Sequence, residues 1–373
     1  MTPPTTPTFA IVTGGGTAGH VLPALAIADA LVAAGHAPGS IHYVGSGRGI
    51  EARLVPPSGY PMTLLPGRGI QRRLTLENLH AVAGLLVAGG RAFTLVGRLR
   101  PAVVVAVGGY ASVAVGLAAA LRRVPIVVAE QNQAPGLANR LLARFARASA
   151  ISFPGTPLPR AVVTGNPIRA EISALDPARD RLAAKRAVGV DERRRLLLVT
   201  GGSLGALRIN EAVLAAVPAW RDRTDLSVHH VVGRRDWASL SARVPSAGGA
   251  LEHRMVEYED DMPAALAAAD VAVCRAGSST CFELAAAGLP AILVPSPFVT
   301  ADQQTGNARH LVDAGAAVLV RDADLDGPRL AREVDALLGD PDRLAAMAAA
   351  ARDWARPDAA AAIASLAEQH ARA

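Results

Sequence analysis

Short apolar runs alternate with longer alanine-rich segments along most of the chain. The runs are rich in Val, Ile and Leu and are about five residues long, which is typical of strands buried on both faces of a parallel sheet. They cover residues 9–13, 41–44, 103–107, 126–129, 196–200, 228–232, 271–274, 291–294 and 317–320. Because segments of helical character separate them, the pattern predicts an α/β protein with parallel sheets covered by helices.

One arrangement, a buried strand followed by a glycine turn and a helix start, occurs twice. Residues 9–20 read FAIVTGGGTAGH, and residues 197–206 read LLVTGGSLGA. Two Rossmann-like, doubly wound domains account for this echo. We place their boundary in the turn residues 164–167, which predicts domains over residues 1–166 and 167–356. For the last segment, residues 357–373, a helix is predicted, and the sequence leaves open whether it packs back on the first domain.

The range 101–121 contains no charged residue and is long enough for a transmembrane helix. Gly108 and Gly109 interrupt it, so a strand, a glycine turn and a helix are predicted there instead. The first eight residues contain no basic segment followed by an apolar stretch, and Cys274 and Cys281 are the only cysteines. These features favour a reduced, cytosolic protein.

Charge is distributed unevenly over the 373 residues, whose formal net charge is +6. Residues 1–165 hold 14 Arg against four acidic residues, which leaves +10, whereas residues 166–373 hold 24 basic and 28 acidic residues, which leaves −4. The first half is therefore expected to meet an anionic partner, which could be a phosphate-bearing substrate, an anionic membrane or nucleic acid.

The first glycine loop, Gly14 to Gly19, satisfies G-x-G-x-x-G directly after a predicted strand. Such a loop presents backbone N–H groups and a helix N-terminus to a phosphate or pyrophosphate. A dinucleotide fold would also need an acid after the second strand, and the run IHYVGS at 41–46 supplies none. Arg48 could serve a 2′-phosphate, so an NADP oxidoreductase stays an alternative.

His20 follows this loop at the start of the predicted helix. The positive end of the helix dipole disfavours imidazolium, so the ring should be neutral near pH 7. A neutral imidazole beside an anion-binding loop is a candidate general base. The alternative is a polar residue with no role beyond its place at a helix N-terminus.

The second half carries two further candidate anion sites. One is the loop Gly201 to Gly205, and the other is the helix start at 277–283, which follows a predicted strand. Thr280 and Glu283 have capping-box spacing, which would make Glu283 structural. In the alternative, Ser278 to Thr280 offer N–H groups to a phosphate and Glu283 accepts hydrogen bonds from ribose hydroxyls.

Polar triplets also follow two predicted strands, at 130–132 and 302–304, and the segment 166–169 lies at the proposed linker. In open α/β sheets such positions face the ligand crevice, so together they indicate a sugar-nucleotide site. Cys274 and Cys281, the pair His229-His230 and the acidic run 259–261 lack the spacing of a ligand set, so no bound catalytic metal is expected.

Along nearly its whole length the chain resembles the MurG family, the bacterial transferases that convert lipid I to lipid II. The resemblance rests on the order and spacing of short segments, which are GGTAGH at 15–20, GGY at 108–110, EQN at 130–132, GNPIR at 165–169, GGSLGA at 201–206, DDM at 260–262, CRAG at 274–277, ELAAAGLP at 283–290 and DQQ at 302–304. It implies an inverting GT-B transferase with two Rossmann-like domains facing a cleft and no bound cofactor.

The resemblance also implies roles for individual residues. An inverting transfer needs a base, and our hypothesis is that His20 takes the proton of the 4-hydroxyl of the muramyl sugar while the first domain binds the acceptor. The donor UDP-N-acetylglucosamine would bind mainly on the second domain, through Arg169, Ser203, Glu259, Ser278, Ser279, Thr280, Cys281, Phe282, Glu283, Gln303 and Gln304. Thr17, Ala18, Gly19 and Asn132 would close on it from the first domain. The acceptor pyrophosphate would lie against Gly15, Gly16, Gly108, Gly109, Tyr110 and Glu130.

The chain departs from the family at two of these places. An aliphatic residue is common where Glu259 stands, and SSTCF at 278–282 differs from the more usual Ala-Leu-Thr pattern. If the family contacts the donor through backbone groups at these places, neither change affects binding. If it contacts the donor through side chains, recognition of uracil at Glu259 would be in doubt.

A membrane-bound acceptor requires the enzyme to reach a bilayer without crossing it. Between Arg68 and Arg100 an apolar stripe is bordered by arginines, including Arg72 and Arg73, and it could lie on anionic lipid or face the core. We therefore expect the protein at the cytoplasmic face of the membrane. Its expected partners are lipid I, UDP-N-acetylglucosamine and anionic lipid, and nucleic acid is not expected to be one. Cell-wall and division proteins are further candidate partners.

Two other classes of function remain open. One is a different sugar-nucleotide enzyme of the same architecture, such as a glycolipid glycosyltransferase or a UDP-N-acetylglucosamine 2-epimerase. The other is the NADP oxidoreductase or a non-catalytic membrane adaptor.

Overall fold

The computed structural model describes residues 7–47, 50–66, 76–202, 204–243 and 249–372, with only the backbone for 76–86. Contacts divide the chain into two compact units. Unit 1 comprises Met1–Arg169 together with Arg356–Ala373, and unit 2 comprises Ala170–Ala355. The first unit thus extends past the predicted boundary and includes Pro167, Ile168 and Arg169.

Unit 1 is built on a parallel sheet with the strand order β3-β2-β1-β4-β5-β6-β7 in the part of the chain described. Its strands are β1 (Ala10–Gly14), β2 (Ile41–Ser46), β3 (Met62–Leu65), β4 (Val103–Gly108), β5 (Ile126–Glu130), β6 (Ala148–Ile151) and β7 (Ala161–Val163). The central strands are buried along their whole length, as continuous apolar runs predict.

Helices cover both faces of this sheet. They are α1 (Ala18–Ala33), α2 (Glu51–Leu54), α3 (Leu76–Leu99), α4 (Tyr110–Leu121), α5 (Leu137–Leu142) and α15 (Ala359–His370). Buried side chains of α3, α4 and α5 form the core on one face, and those of α1 and α15 form the core on the other. The last helix, α15, therefore packs on the first unit, against α1, β4 and β5.

Unit 2 repeats the plan with the strand order β10-β9-β8-β11-β12-β13, again parallel within the described residues. Its strands are β8 (Arg195–Thr200), β9 (Leu226–Val231), β10 (Glu252–Val256), β11 (Val271–Cys274), β12 (Ala291–Leu293) and β13 (Ala317–Leu319). Its helices are α6 (Ala170–Ser173), α7 (Pro177–Ala187), α8 (Leu207–Ala216), α9 (Arg234–Leu240), α10 (Met262–Ala268), α11 (Ser278–Ala286), α12 (Gln303–Asp313), α13 (Gly327–Leu338) and α14 (Pro341–Trp354).

The predicted fold class, α/β with two Rossmann-like, doubly wound parallel sheets, is confirmed. Each of the predicted apolar runs corresponds to a strand. The charge-free range 101–121 folds as the strand β4, a glycine turn and the helix α4, as predicted. Across the described residues, no helix has both the length and the apolar character needed to cross a membrane.

Candidate active site

Two helix N-termini meet at the carboxyl edge of the sheet in unit 1. The strand β1 ends at Gly14 and leads into α1, and its neighbour β4 ends at Gly108 and leads into α4. Gly109 caps α4 with φ 87° and ψ 178°, and a Cβ on it would lie 2.4 Å from the carbonyl oxygen of Gly15. Only glycine allows this approach, which brings the two loops into contact.

Two amides of the first glycine loop already have acceptors inside the protein. The Gly15 N–H donates to the carbonyl oxygen of Gly108 at 3.3 Å. The Gly16 N–H donates to both carboxylate oxygens of Glu51, at 3.2 and 3.1 Å. The predicted role of Gly15 and Gly16 as amide donors to a pyrophosphate does not fit this arrangement, because these N–H groups are satisfied.

The N–H donors at the start of α1 follow directly after Thr17. Thr17 is the N-cap, and the first helical N–H bonds are those of His20 and Val21 to the Thr17 carbonyl oxygen. The amides of Ala18 and Gly19 therefore belong to the first-turn donors that a helix leaves without an intrahelical acceptor. Together with the positive end of the helix dipole they form an anion-binding position.

His20 is held in one tautomer by the same loop. Its Nδ1 lies 3.2 Å from the carbonyl oxygen of Gly15 and 3.3 Å from the hydroxyl of Thr17. A carbonyl oxygen only accepts, so Nδ1 carries the proton in this contact and Nε2 keeps its lone pair. The ring edge with Nε2 lies beside Gly108, whose Cβ, if it had one, would be 3.0 Å away.

The pKa of His20 is lowered from 6.5, first of all because burial penalises the charged ring. The negative charges of Glu130 and Glu51 and the hydrogen bond to Gly15 act in the opposite direction. The expected neutral ring thus fits the structure, but with burial as the leading cause in place of the helix dipole. A neutral ring with a free Nε2 can accept a proton.

Glu130, which ends β5, is buried and braces the loop after it. Its carboxylate accepts the N–H groups of Asn132 at 2.9 Å and Gly136 at 3.0 Å and the side-chain amide of Asn139 at 2.9 Å. A second, longer contact of 3.5 Å joins it to the side chain of Asn132. With these bonds, and with its negative charge, Glu130 fits a loop-shaping role better than the predicted contact to a pyrophosphate.

Tyr110, the first residue of α4, donates its hydroxyl to the carbonyl oxygen of Pro66 at 3.3 Å. Burial raises its pKa, so the hydroxyl stays protonated. The side chain is thereby directed along the sheet edge, and the backbone N–H at the start of α4 is the group it can offer to an anion.

In unit 2 Gly205, the last residue of the second glycine loop, lies against the segment that follows β9. A Cβ on Gly233 would lie 2.2 Å from the amide nitrogen of Gly205, so the two segments are in backbone contact. Arg235 donates to the Gly205 carbonyl oxygen at 3.2 Å from the following helix. Ser203, which was expected to bind the donor, lies outside the described residues, as does Arg48.

The helix α11 begins earlier than a capping box would require. Gly277 is its N-cap and Ser278 its first residue, so Thr280 lies within the first turn and caps nothing. The structural interpretation of Thr280 and Glu283 as a capping box is therefore wrong, because the N-cap is Gly277.

The start of this helix can present backbone N–H groups to a ligand. Cys281 and Phe282 are buried, and Phe282 packs on Trp354 with ring centroids 4.6 Å apart. Burial raises the pKa of the Cys281 thiol well above its usual value, which makes it inert as a nucleophile. The amides of Ser278 and Ser279 are in the first turn of α11, where an anion is favoured.

Gln303 and Gln304 begin α12 at the carboxyl end of β12. The side-chain oxygen of Gln304 accepts the N–H of Ser296 at 2.8 Å. This bond fixes the amide orientation and leaves the Nε2 hydrogens of Gln304 as donors for a ligand. Ala301 and Asp302, just before, have φ of 53° and 49°, so the entry to α12 is a tight left-handed turn.

The loop between β10 and α10 is anchored by its own acid. Glu259 receives a hydrogen bond of 2.7 Å from Nε2 of buried His229, and its other oxygen accepts the N–H of Asp261 at 2.8 Å. Asp261 in turn caps α10. The Glu259 side chain is therefore engaged in anchoring its own loop.

The structure groups the expected residues into two sets. In unit 1, Thr17 to His20, Gly108 to Tyr110 and Glu130 with Asn132 lie at the carboxyl ends of β1, β4 and β5. In unit 2, the loop after β8, Glu259, the start of α11 and Gln303 with Gln304 lie at the carboxyl ends of their strands. Arg169 is the last residue of the first segment of unit 1. Glu51 was missed, since no motif marks it.

Comparisons with known proteins agree over both units. Residues 10–151 match the glycosyltransferase family 28 N-terminal domain, and residues 196–369 match the C-terminal domain of that family. Two relatives named UDP-N-acetylglucosamine–N-acetylmuramyl-(pentapeptide) pyrophosphoryl-undecaprenol N-acetylglucosamine transferase are similar over nearly the full length. The one from Salinibacter ruber is 46% identical over 95% of this chain and 94% of its own. The one from a Nocardioides species is 44% identical over 91% and 92%.

Solved structures give the same grouping. The crystal structure of Acinetobacter baumannii MurG superposes with a TM-score of 0.79 at 28% identity, over 97% of this chain and 100% of that one. A UDP-N-acetylglucosamine 2-epimerase reaches a TM-score of 0.64 at 15% identity, which shows a common fold alone. The chain therefore belongs to glycosyltransferase family 28 and, within it, to the MurG family.

Proposed function

We propose that the protein transfers N-acetylglucosamine from UDP-N-acetylglucosamine to the 4-hydroxyl of the muramyl sugar of lipid I, with inversion, and so forms lipid II for peptidoglycan. The observation that carries this proposal is the similarity to transferases of that name over more than nine-tenths of both chains. The arrangement of His20 and the helix N-termini supports it, because it supplies a base and anion-binding groups.

On unit 2, the donor diphosphate is proposed to lie on the first-turn amides of α11 and on the loop Gly201 to Gly205, with Ser203 in that loop. Glu283 would bind the ribose, Arg169 would reach the nucleotide, and the Glu259 backbone would read uracil. The donor amide of Gln304 would hold the sugar hydroxyls together with Gln303. Helix N-termini stabilise the negative charge that develops on the departing UDP.

On unit 1, the acceptor pyrophosphate is proposed to lie on the amides of Ala18 and Gly19 and on the start of α4. Nε2 of His20 would take the proton of the acceptor hydroxyl as its oxygen attacks the anomeric carbon of the donor sugar. The new C–O bond forms as the bond from that carbon to the UDP oxygen breaks, and the proton stays on His20 until solvent removes it.

The decisive assay follows UDP release from UDP-N-acetylglucosamine in the presence of a chelator, with and without a lipid I analogue. We expect release that depends on the analogue and is unaffected by the chelator, because amides, not a metal, are assigned to the diphosphates. Conversion of the nucleotide sugar without acceptor would indicate an epimerase instead, and oxidation of NADPH would indicate an oxidoreductase. Either result would contradict the proposal.

Peripheral attachment to the cytoplasmic face of an anionic membrane is part of the proposal. Most of the stripe between Arg68 and Arg100 lies outside the described side chains. In the described part, Ala88, Ala92 and Leu95 of α3 face the core. Phe93 is 41% exposed with the Arg122 guanidinium 3.8 Å above its ring, and Leu121 is 76% exposed. An apolar surface beside arginines is suited to anionic lipid.

Liposome flotation tests this attachment. We expect binding to anionic vesicles that falls as salt rises and weakens in Arg72→Ala/Arg73→Ala, since each arginine near an anionic surface contributes about 1 kcal/mol. Arg193→Ala/Arg332→Ala removes the same charge from exposed positions of unit 2 and is the matched control. Binding that is independent of salt would reject the electrostatic attachment.

A further inference from the structure

Glu51 is a fully buried carboxylate that no motif in the sequence marks. It begins the short helix α2, beyond the end of β2, and its side chain reaches the first glycine loop. Oε1 accepts the N–H of Ser46 at 2.7 Å, and both oxygens lie within 3.2 Å of the Gly16 nitrogen. A Cβ on Gly15 would lie 2.2 Å from Oε1, so the loop has room for this carboxylate only because residue 15 is glycine.

The contact with Gly16 connects Glu51 to His20. The carbonyl of Gly15 and the N–H of Gly16 are the two ends of one peptide group. At one end the Gly15 oxygen accepts from Nδ1–H of His20 at 3.2 Å, and at the other end the Gly16 N–H donates to Glu51 at 3.1 Å. The order is therefore carboxylate, peptide group, imidazole.

A chain of hydrogen bonds of this kind is polarised along its length. The carboxylate draws on the Gly16 N–H and increases the negative charge on the Gly15 oxygen, which becomes a better acceptor for Nδ1–H. In serine hydrolases a carboxylate bonded directly to Nδ1–H fixes the tautomer of the catalytic histidine and stabilises its charged form. Here a peptide group stands between the two side chains.

We propose that Glu51 is a positioning residue that acts through the Gly15–Gly16 peptide group, keeping the His20 proton on Nδ1 and making Nε2 a stronger base. Its consequence for turnover rests on the proposed function, in which His20 is the base. The coupling between the two side chains does not depend on that function and can be measured without substrate.

Two carboxylates act on His20, so a test must distinguish the effect of Glu51 from that of Glu130. Glu51 faces it from α2 and Glu130 faces it from the end of β5, and both raise the pKa that burial lowers. Replacing Glu51 by glutamine removes one of these charges and keeps the size of the side chain. The pKa of His20 should fall, because the charged ring loses a favourable interaction.

Nitrogen NMR of histidine-labelled protein gives a direct reading. In the wild type we expect the neutral His20 ring to carry its proton on Nδ1. In Glu51→Gln we expect the titration midpoint of His20 to fall by about half a pH unit to one unit. Some of the neutral His20 rings should then carry their proton on Nε2. Asp29→Asn, which removes an exposed carboxylate of the same unit that accepts the Tyr60 hydroxyl at 2.6 Å, should leave both unchanged.

His42 supplies an internal reference for local damage. It lies on β2 in the same unit, contacts Thr63 at 2.8 Å, and has a pKa lowered to about 4, chiefly by burial. A change at His20 without one at His42 supports the proposal. A neutral wild-type ring protonated on Nε2, or a His20 midpoint equal in wild type and Glu51→Gln, would overturn it. If Glu51→Gln does not fold, the tautomer of the neutral His20 ring in the wild type decides by itself, since protonation on Nε2 would overturn the proposal.

Turnover measurements distinguish the positioning role of Glu51 from the proposed role of His20 as the base. Glu51→Gln should lower kcat about 3- to 10-fold, leave KM for the donor unchanged and move the acid limb of the pH profile to lower pH. In a His20→Ala background the same change should have no further effect, since the base is gone. An equal loss in both backgrounds means a purely structural role and overturns the proposal. If His20→Ala is active while Glu51 still controls the tautomer and the pKa of His20 in the NMR experiment, the assignment of His20 as the base is wrong and the interaction between the two side chains stands.

Discussion

Replacing His20 by alanine is expected to lower kcat by about 10²- to 10⁴-fold, the usual contribution of a general base. The reason is geometric: Nδ1 of His20 is bound to the Gly15 carbonyl, so Nε2 keeps its lone pair and can accept a proton. KM for the donor should change little, because the donor is assigned to unit 2. UDP release with saturating lipid I analogue is the measurement.

The pH dependence of kcat/KM in the wild type is a second test of the role of His20. Because the pKa of His20 is lowered from 6.5, the ring is neutral at pH 7 and the acid limb of kcat/KM should have its midpoint below 6.5. His370→Ala, at the end of α15, is the matched control and should retain full turnover. Near-normal turnover of His20→Ala would show that another group takes the proton.

Gly109→Ala is expected to be among the most damaging single changes in unit 1. The residue has φ 87° and ψ 178°, a conformation that costs a residue with a Cβ about 1–3 kcal/mol. The new Cβ would also lie 2.4 Å from the Gly15 carbonyl oxygen, and such overpacking adds about 1–3 kcal/mol. Since Gly15 also holds His20, acceptor-dependent UDP release should fall with stability.

Gly59→Ala is the matched control for backbone strain. Gly59 has φ 76° and ψ 0°, and a Cβ on it would meet nothing within 4 Å. It should cost about 1–2 kcal/mol and leave turnover intact. Calorimetric unfolding of the two variants measures the difference. Equal losses of Tm would mean that the close approach of the two glycine loops contributes nothing.

Three of the four strands that the apolar pattern missed share a physical cause. The four are β3, β6, β7 and β10, and β3, β7 and β10 are edge strands of the two sheets. The whole of β7 is exposed, and β10 reads EHRMV. An edge strand covered on one side, or on neither, needs no continuous apolar run. The pattern did find the edge strand β13, and it missed the inner strand β6, which reads ASAI and contains Ser149.

The candidate site divides in a similar way. The glycine loops, His20 and the start of α11 could be predicted because strand, turn and helix are neighbours in sequence. Glu51 could not, because it meets Gly16 across 35 residues of chain. The capping-box interpretation failed since Thr280 and Glu283 have the right spacing, yet α11 begins at Ser278. Spacing alone does not report where a helix starts.

Local order along the chain was enough to determine the α/β class, the two glycine loops and the identity of the imidazole beside the first, because each depends on residues close together in sequence. Which amides remain open to an anion, which nitrogen of His20 holds the proton, and which carboxylates face that ring were decided by the tertiary structure. Hydrogen bonds and burial between distant segments set those properties, and a sequence pattern carries no record of such contacts.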